Sequence, residues 1–594
     1  MSNEVKKLTL TTNKILKHIS DNFIRDNITV IMPTYMPQRG EVLRVLAVNG
    51  VDTLIVGGPK NSRFYKEIPQ IGTEIDVLPH IGVFPPHITK EIVQTIPENK
   101  LKNKKIAIFS FINSIGWSNY IKERNLNTEI IATVEQSLRN YFEEKGNLIK
   151  ILQTAGLGAY TIPTEHVSKQ MSYKELYAVY HKLKNEDGKV VLQDIRSKIA
   201  NAAGKGTFFV SSLQDFLKTI QSAEGEFKAV RFIKGFESNL TFFATNTLPD
   251  NDQLGAKKLQ LTPELDPYNP DTLDVLLQSA SNIGINDENI VTLVGRGTFK
   301  AVGDDNLTSN AANGVGNDLG YVYQPEIRRQ IKEIGDKLSH LMALAGKVGV
   351  AGADLLIDKS GKVWINEIND RLQGPTSQMS KDAEINGAPS ISKINLIASY
   401  ADFRSDEVQQ YFQDIKNNAE EINDYYTTKS GEFYLKVNST HPANETAVFQ
   451  HNILPGFYDI RKKDGKWYFD FSSHRGLNSD TTYQTDTKKD YVTIKIDGGD
   501  WHTGDTVKGG SQLFRLTGIA TKGSEPFMVQ HNKTILSNEW QNIITATYNY
   551  LFGENYMERN PLRQQRRQMV KTQNIVQSNN ILTNNMVSNL QKVI

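Results

Sequence analysis

A cluster near the middle of the 594-residue chain has the residue types and spacing for metal and phosphate chemistry. Asp354 stands thirteen residues before Glu367, and Asn369, Arg371 and Gln373 follow Glu367 at every second position. Side chains two apart on a strand share a face, so Glu367 and Asn369 point the same way, with Arg371 and Gln373 next in the alternation. The elements that must position them are legible on either side. The run Ala353-Asp354-Leu355-Leu356-Ile357 and the run Val363-Trp364-Ile365 flank Asp358-Lys359-Ser360-Gly361. Two β-rich runs around an Asp/Ser/Gly turn predict a hairpin that carries Asp354 across to Glu367 and Asn369. Three hard oxygen donors gathered in this way can hold Mg2+, whose ligands are carboxylates, carbonyls, water and substrate phosphates. Arg371 is placed to meet an anion.

The run Glu367-x-Asn369-x-Arg371-x-Gln373, with Asp354 upstream, resembles the metal-binding end of the ATP-grasp enzymes in its biotin carboxylase form. The resemblance implies that Asp354, Glu367 and Asn369 carry the magnesium of MgATP, with manganese as a substitute. It implies Glu367 and Arg371 as catalytic residues, Arg371 holding an acyl phosphate or a tetrahedral oxyanion as preorganised cations do. A surface hairpin with a polar strand end is the bland alternative. The thirteen-residue spacing, the apolar strands and the trailing arginine argue against it.

The composition, 39% hydrophobic and 23% charged over 594 residues, is that of a globular chain divided into several domains. A net charge of +2 gives no reason to expect nucleic acid. The lack of cysteine excludes disulfides, thiolate metal sites and a thiol nucleophile, and fits a reducing compartment. The first residues are polar and lack the apolar core of a signal peptide. No run approaches the roughly 20 apolar residues that span a bilayer. The expectation is a cytoplasmic protein with no nucleic-acid or membrane partner, self-association being left open.

Upstream segments extend the resemblance. Residues 1–27 predict a leading helix. Residues 28–144 predict an α/β domain, since runs at 28–32, 53–56 and 105–110 alternate with helical stretches such as 41–49, the pattern of a parallel sheet. Gly57-Gly58-Pro59 lacks the dinucleotide fingerprint and reads as a strand-end turn. In this position the domain resembles the pre-ATP-grasp domain of such ligases.

Residues 145–395 resemble the ATP-grasp module, two α+β lobes. Lys145 leads a helix ending at Thr154-Ala155-Gly156, and the resemblance puts Lys145, with Lys150 as competitor, on the ATP phosphates. Strands around 190–193 and 208–210 enclose Asn201-Ala202-Ala203-Gly204-Lys205-Gly206-Thr207, whose small residues let backbone N–H groups approach phosphates. The resemblance places Gly204, Gly206 and Thr207 over the β- and γ-phosphates. Where the family usually has lysine at the end of the first strand, this chain has Gln193, an amide that donates hydrogen bonds without charge. Either Lys205 or Lys198 compensates, or this branch uses glutamine there. Arg231, Phe232 and Ile233 fall on the adenine-facing hinge positions and Glu237 on the ribose carboxylate. A plain surface lysine and a solvent-exposed strand-edge glutamate are the alternatives for Lys145 and Glu237.

Residues 246–324 read as an insertion rich in Asn, Asp, Gly and Pro, with a strand at 290–294, a tight loop at 313–318, and Arg296 or Lys300 as an anion holder. Pro325 opens an amphipathic helix carrying Ile327, Ile331, Ile334, Leu338, Leu341 and Leu344 at helical spacing. Then follow a helical connector (396–430), a small C-terminal β-domain (431–545) and an Asn/Gln-rich tail (546–594) that is either a docking helix or a frayed end. His502 near Asp500 reads as a metal pair or, as most scattered histidines are, as a structural or exposed side chain. The fold class expected is α/β and α+β multidomain: a pre-ATP-grasp α/β domain, an ATP-grasp module, a small β-domain and a polar helical tail.

The resemblance implies an ADP-forming carbon–nitrogen ligase. ATP phosphorylates a substrate carboxylate to an acyl phosphate, and an amine attacks it to give an amide or peptide bond with release of phosphate. Positioning and charge neutralisation do the work, so no side-chain nucleophile is required. The pre-domain, Gln193 and the C-terminal β-domain look most like the peptide and amino-acid ligases of the pheganomycin type, with small-molecule or peptide carboxylates and amines as substrates. A small-molecule kinase and a non-catalytic nucleotide-binding scaffold are the alternatives.

Overall fold

A computed structural model of the chain describes residues 2–33, 46, 49–51, 53–56, 75–78, 105–108, 130–132, 136–195, 206–222, 225–249, 254–259, 266–308, 313–426, 432–441, 445–476, 481–497, 501–530, 533–554 and 556. The leading helix, Asn3–Arg25, starts where the Ser2 side chain accepts the Val5 N–H. It buries Val5, Leu8, Ile15, Leu16, Ile19 and Phe23 along one stripe. That stripe docks on helices Ile391–Tyr400 and Asp406–Asn417, with Thr12 and Tyr411 hydroxyls 2.9 Å apart.

The next segment forms the expected parallel sheet. Strands β1 (Ile28–Pro33), β2 (Thr53–Val56), β3 (Ile75–Leu78), β4 (Lys105–Ile108) and β5 (Ile130–Ala132) lie in the order β3-β2-β1-β4-β5, every pair parallel. This is a doubly wound α/β order. The helix read at 41–49 falls mostly, and Gly57-Gly58-Pro59 wholly, outside the described residues.

A small antiparallel sheet follows: β6 (Thr164–Val167), β7 (Val190–Ile195), β8 (Thr207–Val210) and β9 (Glu226–Arg231), ordered β6-β9-β7-β8. One face packs Val167, Leu192, Val210, Phe227 and Ala229 on helices Tyr173–Leu183 and Leu213–Gln221. The register lines up His166, Lys228, Gln193 and Thr207 as a polar row on the other face.

The largest sheet takes its strands from both halves of the chain. They are β10 (Gly235–Asn246), β11 (Ile290–Val294), β12 (Thr298–Val302), β13 (Gly314–Asp318), β14 (Gly349–Asp358), β15 (Val363–Asn369) and β16 (Glu432–Asn438). After the short β17 (Thr446–Val448) come β18 (Gly456–Lys463), β19 (Lys466–Arg475) and β20 (Tyr491–Asp497). The short β21 (Thr506–Lys508) precedes β22 (Gln512–Ile519), and β23 (Phe527–Gln530) and β24 (Lys533–Leu536) form a separate hairpin. The order is β15-β14-β10-β12-β13-β16-β22-β20-β18-β19, with β11 also on β10. Helix Pro325–Leu344 packs on this sheet, Gly335 lying against Val294 and Leu240.

Three features differ from the sequence reading. Residues 246–324 are no insertion, since they supply β11, β12 and β13 to the sheet. Gly314–Asp318 is a central strand and not a tight loop. Its glycines mimic a turn signal, but Gly316 is there for close approach: a Cβ would sit 2.4 Å from Tyr434 O and 2.8 Å from the Phe527 ring. The C-terminal strands expected in 431–545 form, and β16 hydrogen-bonds directly to β13, so they continue the central sheet. Residue 546 lies inside helix Asn538–Phe552, which buries Trp540 and Tyr548 in the core. The rest of the Asn/Gln-rich segment, 557–594, is outside the described residues. Among the described residues no helix is long and apolar enough to cross a membrane.

Candidate functional site

The hairpin that organises the site closes on Asp358. Its carboxylate accepts the N–H groups of Ser360 (2.8 Å) and Lys362 (3.2 Å), and Gly361 takes the positive φ of 83° the turn requires. On this register Asp354 faces Glu367 and Gly352 faces Asn369. A bulge between Asp354 and Leu355 makes Asn366 the extra residue on β15. Without it, alternation would keep Glu367 on the buried face of Val363 and Ile365. The bulge turns Glu367 and Asn369 to the side of Asp354.

From there a polar row runs across the sheet. Lys300 Nζ lies 2.6 Å from Asp354 Oδ2 and 3.2 Å from Glu237 Oε2. The Asn239 amide donates to Asp354 Oδ1, and the Asn317 amide donates to Asn239 Oδ1 at 2.8 Å. The Tyr434 hydroxyl donates to Asn317, and the Arg515 guanidinium covers the Tyr434 ring at 4.0 Å. Lys436 pairs with Arg515 across β16 and β22. At the other end Arg371 donates to the Asn369 side chain and lies 3.2 Å from Glu143 Oε1. Gln373 Oε1 accepts the Thr241 hydroxyl at 3.2 Å.

Burial and neighbours set the charges. Burial and then the Asp354 charge push Glu367 up to about 7. Burial opposes ionisation of Asp354 too, but Lys300 and hydrogen bonds from Glu367 and Lys300 hold it below the ordinary range. Burial lowers Lys300, yet Asp354, Glu237 and Glu367 outweigh it and fix the ammonium as charged. Lys436 goes down to about 7 through burial and the nearby Arg515, Lys300 and Arg371.

The expected residues divide into those the structure gathers and those it does not. Asp354, Glu367, Asn369 and Arg371 come together. Lys145 sits in the turn between helices Gln136–Glu143 and Leu148–Thr154, and its charge acts on Glu367 and Lys228. Its competitor Lys150 is committed to Asp274 at 2.7 Å. Gln193 is buried with an unpartnered Oε1, directly opposite Lys228. Gly206 (φ 76°) and Thr207 open β8, whereas Gly204, Lys205 and Lys198 lie outside the described residues.

The residues expected at the hinge each have contacts within the protein. The Arg231 N–H is used on Pro163 O (3.0 Å), and its guanidinium reaches Lys182 O (3.1 Å), because Arg231 alternates onto the helix-covered side of the small sheet. Phe232 packs edge-on against Phe209 and lies under Lys189, and Ile233 follows in the short link to β10. Glu237 is no free acceptor at a strand edge, since the antiparallel register puts it opposite Lys300 and ion-paired to it. Of the two loop cations, Arg296 pairs with Asp424 at the surface and Lys300 enters the site. His502 is exposed, its N–H donating to Asp505, and Asp500 is outside the described residues.

Lys228, Asn239, Asn317, Lys436 and Arg515 were not singled out from sequence. The signal for the two lysines was a single cation inside an otherwise apolar strand, Phe227-Lys228-Ala229-Val230 and Tyr434-Leu435-Lys436-Val437.

Among the described residues no three His, Asp or Glu side chains form a metal cluster. The candidate set is two carboxylates and the Asn369 amide, which suits Mg2+ sharing its shell with water and phosphate. The fit is electrostatic: burial and then the Asp354 charge drive Glu367 up, and a divalent cation between the two carboxylates would offset that repulsion.

No protein-family description matches the sequence, and no curated protein matches it. The chain is similar to several solved structures. One is the biotin carboxylase domain dimer of Hydrogenobacter thermophilus 2-oxoglutarate carboxylase with MgADP, ADP and bicarbonate, at 11% identity and TM-score 0.47, covering 83% of this chain and 86% of that one. Another is Campylobacter jejuni biotin carboxylase with β-γ-ATP, at 11% identity and TM-score 0.47, covering 89% and 98%. A third is Aspergillus clavatus N5-carboxyaminoimidazole synthase with ADP and 5-aminoimidazole ribonucleotide, at 11% identity and TM-score 0.41, covering 83% and 93%.

Proposed function

We propose that the chain is an ADP-forming ligase of ATP-grasp type. It activates a substrate carboxylate as an acyl phosphate and joins it to an amine. The observation that carries the reading is the buried Asp354–Glu367 pair, flanked by Lys300 and Arg371 and acted on by Lys145 from the turn between helices Gln136–Glu143 and Leu148–Thr154.

In this reading ATP lies between the two sheets, with adenine against the 231–233 link and phosphates beside Gly206, Thr207, Lys145 and Gln193. Asp354, Glu367 and Asn369 would hold Mg2+, which supplies neutralisation of charge on the phosphate oxygens. Lys436 and Arg515 make the large-sheet side of the cleft cationic and bind the substrate carboxylate. An anion arriving there returns Lys436 to its charged form, because it offsets the desolvation that lowers it. The γ-phosphoryl group passes to the carboxylate oxygen, ADP leaves, and the amine nitrogen displaces phosphate from the acyl carbon. Arg371 faces the acyl oxygen. The acceptor amine is that of an amino acid or peptide.

ADP release from the full chain, measured across a panel of amino acids and short peptides, tests this. Paired acid and amine should raise ADP release well above either alone, and Glu367→Ala should abolish the increase. A wild type that releases no more ADP than Glu367→Ala with every panel member removes the ligase reading. Stoichiometric ADP with a stable phosphoester and no need for amine would replace it with a kinase.

A further inference from the structure

The small sheet buries a lysine within its polar face. Lys228 is 3% exposed and, among the described residues, has no hydrogen bond or ion pair. It occupies the centre of the polar row His166–Lys228–Gln193–Thr207, on the face turned away from the two helices of its lobe. Beside it the buried Gln193 carries an unpartnered Oε1. The charges that act on Lys228 come from Lys145, Glu367 and Glu144, so it lies within the field of the candidate metal ligand Glu367. The near edge is close: a Cβ on Gly146 would lie 3.9 Å from the His166 ring.

Burying an ammonium without a counter-charge is costly, and such groups are kept where a ligand supplies the charge. Burial, then Lys145, push Lys228 down to about 8, as an unpaired buried cation must be. Structural lysines in sheets commonly end on a carboxylate, and among the described residues Lys228 forms no such ion pair. A polyanion between Lys145 and Lys228 would relieve both.

We propose that Lys228 is the phosphate-binding cation of the small sheet. It reaches from β9 into the place beside Gln193 where charge is missing on β7. The proposal rests on the nucleotide reading of the cleft. The charge is moved sideways by one strand, since residues opposed across an antiparallel pair present side chains to the same spot. Gln193 then orients a phosphate oxygen through its amide N–H while Lys228 supplies the charge.

Binding and melting of the full-length protein with MgADP and with adenosine, which lacks phosphate, test this. For Lys228→Met we expect MgADP affinity to fall about 10- to 100-fold, the scale of one lost charged hydrogen bond. Adenosine affinity should stay unchanged. The ligand-free melting temperature should stay level or rise, because an unpaired buried charge is gone. Lys228→Arg should recover part of the MgADP affinity. If Lys228→Met binds MgADP as wild type does, the proposal is wrong and the nucleotide site stands. If the variant melts earlier and loses both ligands equally, Lys228 is a structural lysine. If wild type binds no MgADP, the nucleotide reading fails and takes this proposal with it.

Discussion

Lys300 and Asp354 form a buried ion pair, Nζ to Oδ2 at 2.6 Å, with Glu237 on the far side of the same ammonium at 3.2 Å. Lys300 is thus the internal counter-ion of a cluster of carboxylates that also includes Glu367. Replacing it by methionine leaves negative charge buried without a partner, which costs about 3–5 kcal/mol. Urea unfolding of Lys300→Met should show that loss. Added Mg2+ should restore more stability to the variant than to wild type, since a second cation then has a place to bind. Equal Mg2+ effects on the two proteins would argue against a metal site at Asp354.

Lys436 and Arg515 belong to strands that lie far along the chain from the hairpin, yet they share its face of the sheet. If they hold the acid substrate, Lys436→Met should raise KM for that substrate about 10- to 100-fold and leave MgADP affinity alone. Steady-state kinetics on the best panel substrate, with a parallel ADP titration, separate the two. A change in ADP affinity with no change in KM would move Lys436 out of the acid pocket.

The strand end that carries Asn369 and Arg371 is held by a second buried pair. Lys347 Nζ lies 2.5 Å from Asp370 Oδ1, both side chains almost fully buried. Lys347→Met alone should cost about 3–5 kcal/mol, because it orphans Asp370. Combining it with Asp370→Leu should recover most of that loss. Chemical denaturation of the single and double variants measures the coupling directly.

Asp318 supplies a pH prediction away from the site. Burial raises it from 3.8 to about 7, while it accepts the Gly320 N–H at 3.0 Å. A raised folded-state value means that the favourable contribution is complete below the unfolded value and is lost as pH rises through about 7. Stability should therefore fall from about pH 4 to about pH 7 and level off above that. Asp318→Asn keeps the acceptor, and should flatten that slope and stabilise the protein at pH 8 by up to about 4 kcal/mol, at 1.36 kcal/mol per unit. Thermal melts across this range decide it; an unchanged slope in Asp318→Asn would show that Asp318 is not the group responsible.

The hairpin was legible because its turn chemistry and its two apolar runs are local, and both are dictated within about fifteen residues of sequence. The facing of Glu367 was read correctly for an incomplete reason. Strict alternation puts Glu367 with Ile365, and only the bulge at Asn366 turns it toward Asp354. What stayed hidden depends on register between distant strands. Glu237 opposite Lys300, Gln193 opposite Lys228 and Lys436 opposite Arg515 are long-range pairings that no local pattern encodes. The misreading of Gly314–Asp318 has the same origin. Gly316 answers to the backbone of Tyr434, more than a hundred residues away in sequence.

The most direct test of the site is MgADP binding to wild type, Asp354→Asn and Glu367→Gln, with and without EDTA, by titration calorimetry. Wild type should bind ADP more tightly with Mg2+ than without. Both variants should lose that Mg2+ dependence while keeping the weaker, metal-free binding. Wild-type affinity unaffected by Mg2+, or variants that retain the full Mg2+ effect, would contradict the assignment of Asp354 and Glu367 as the ligands of a nucleotide-bound metal.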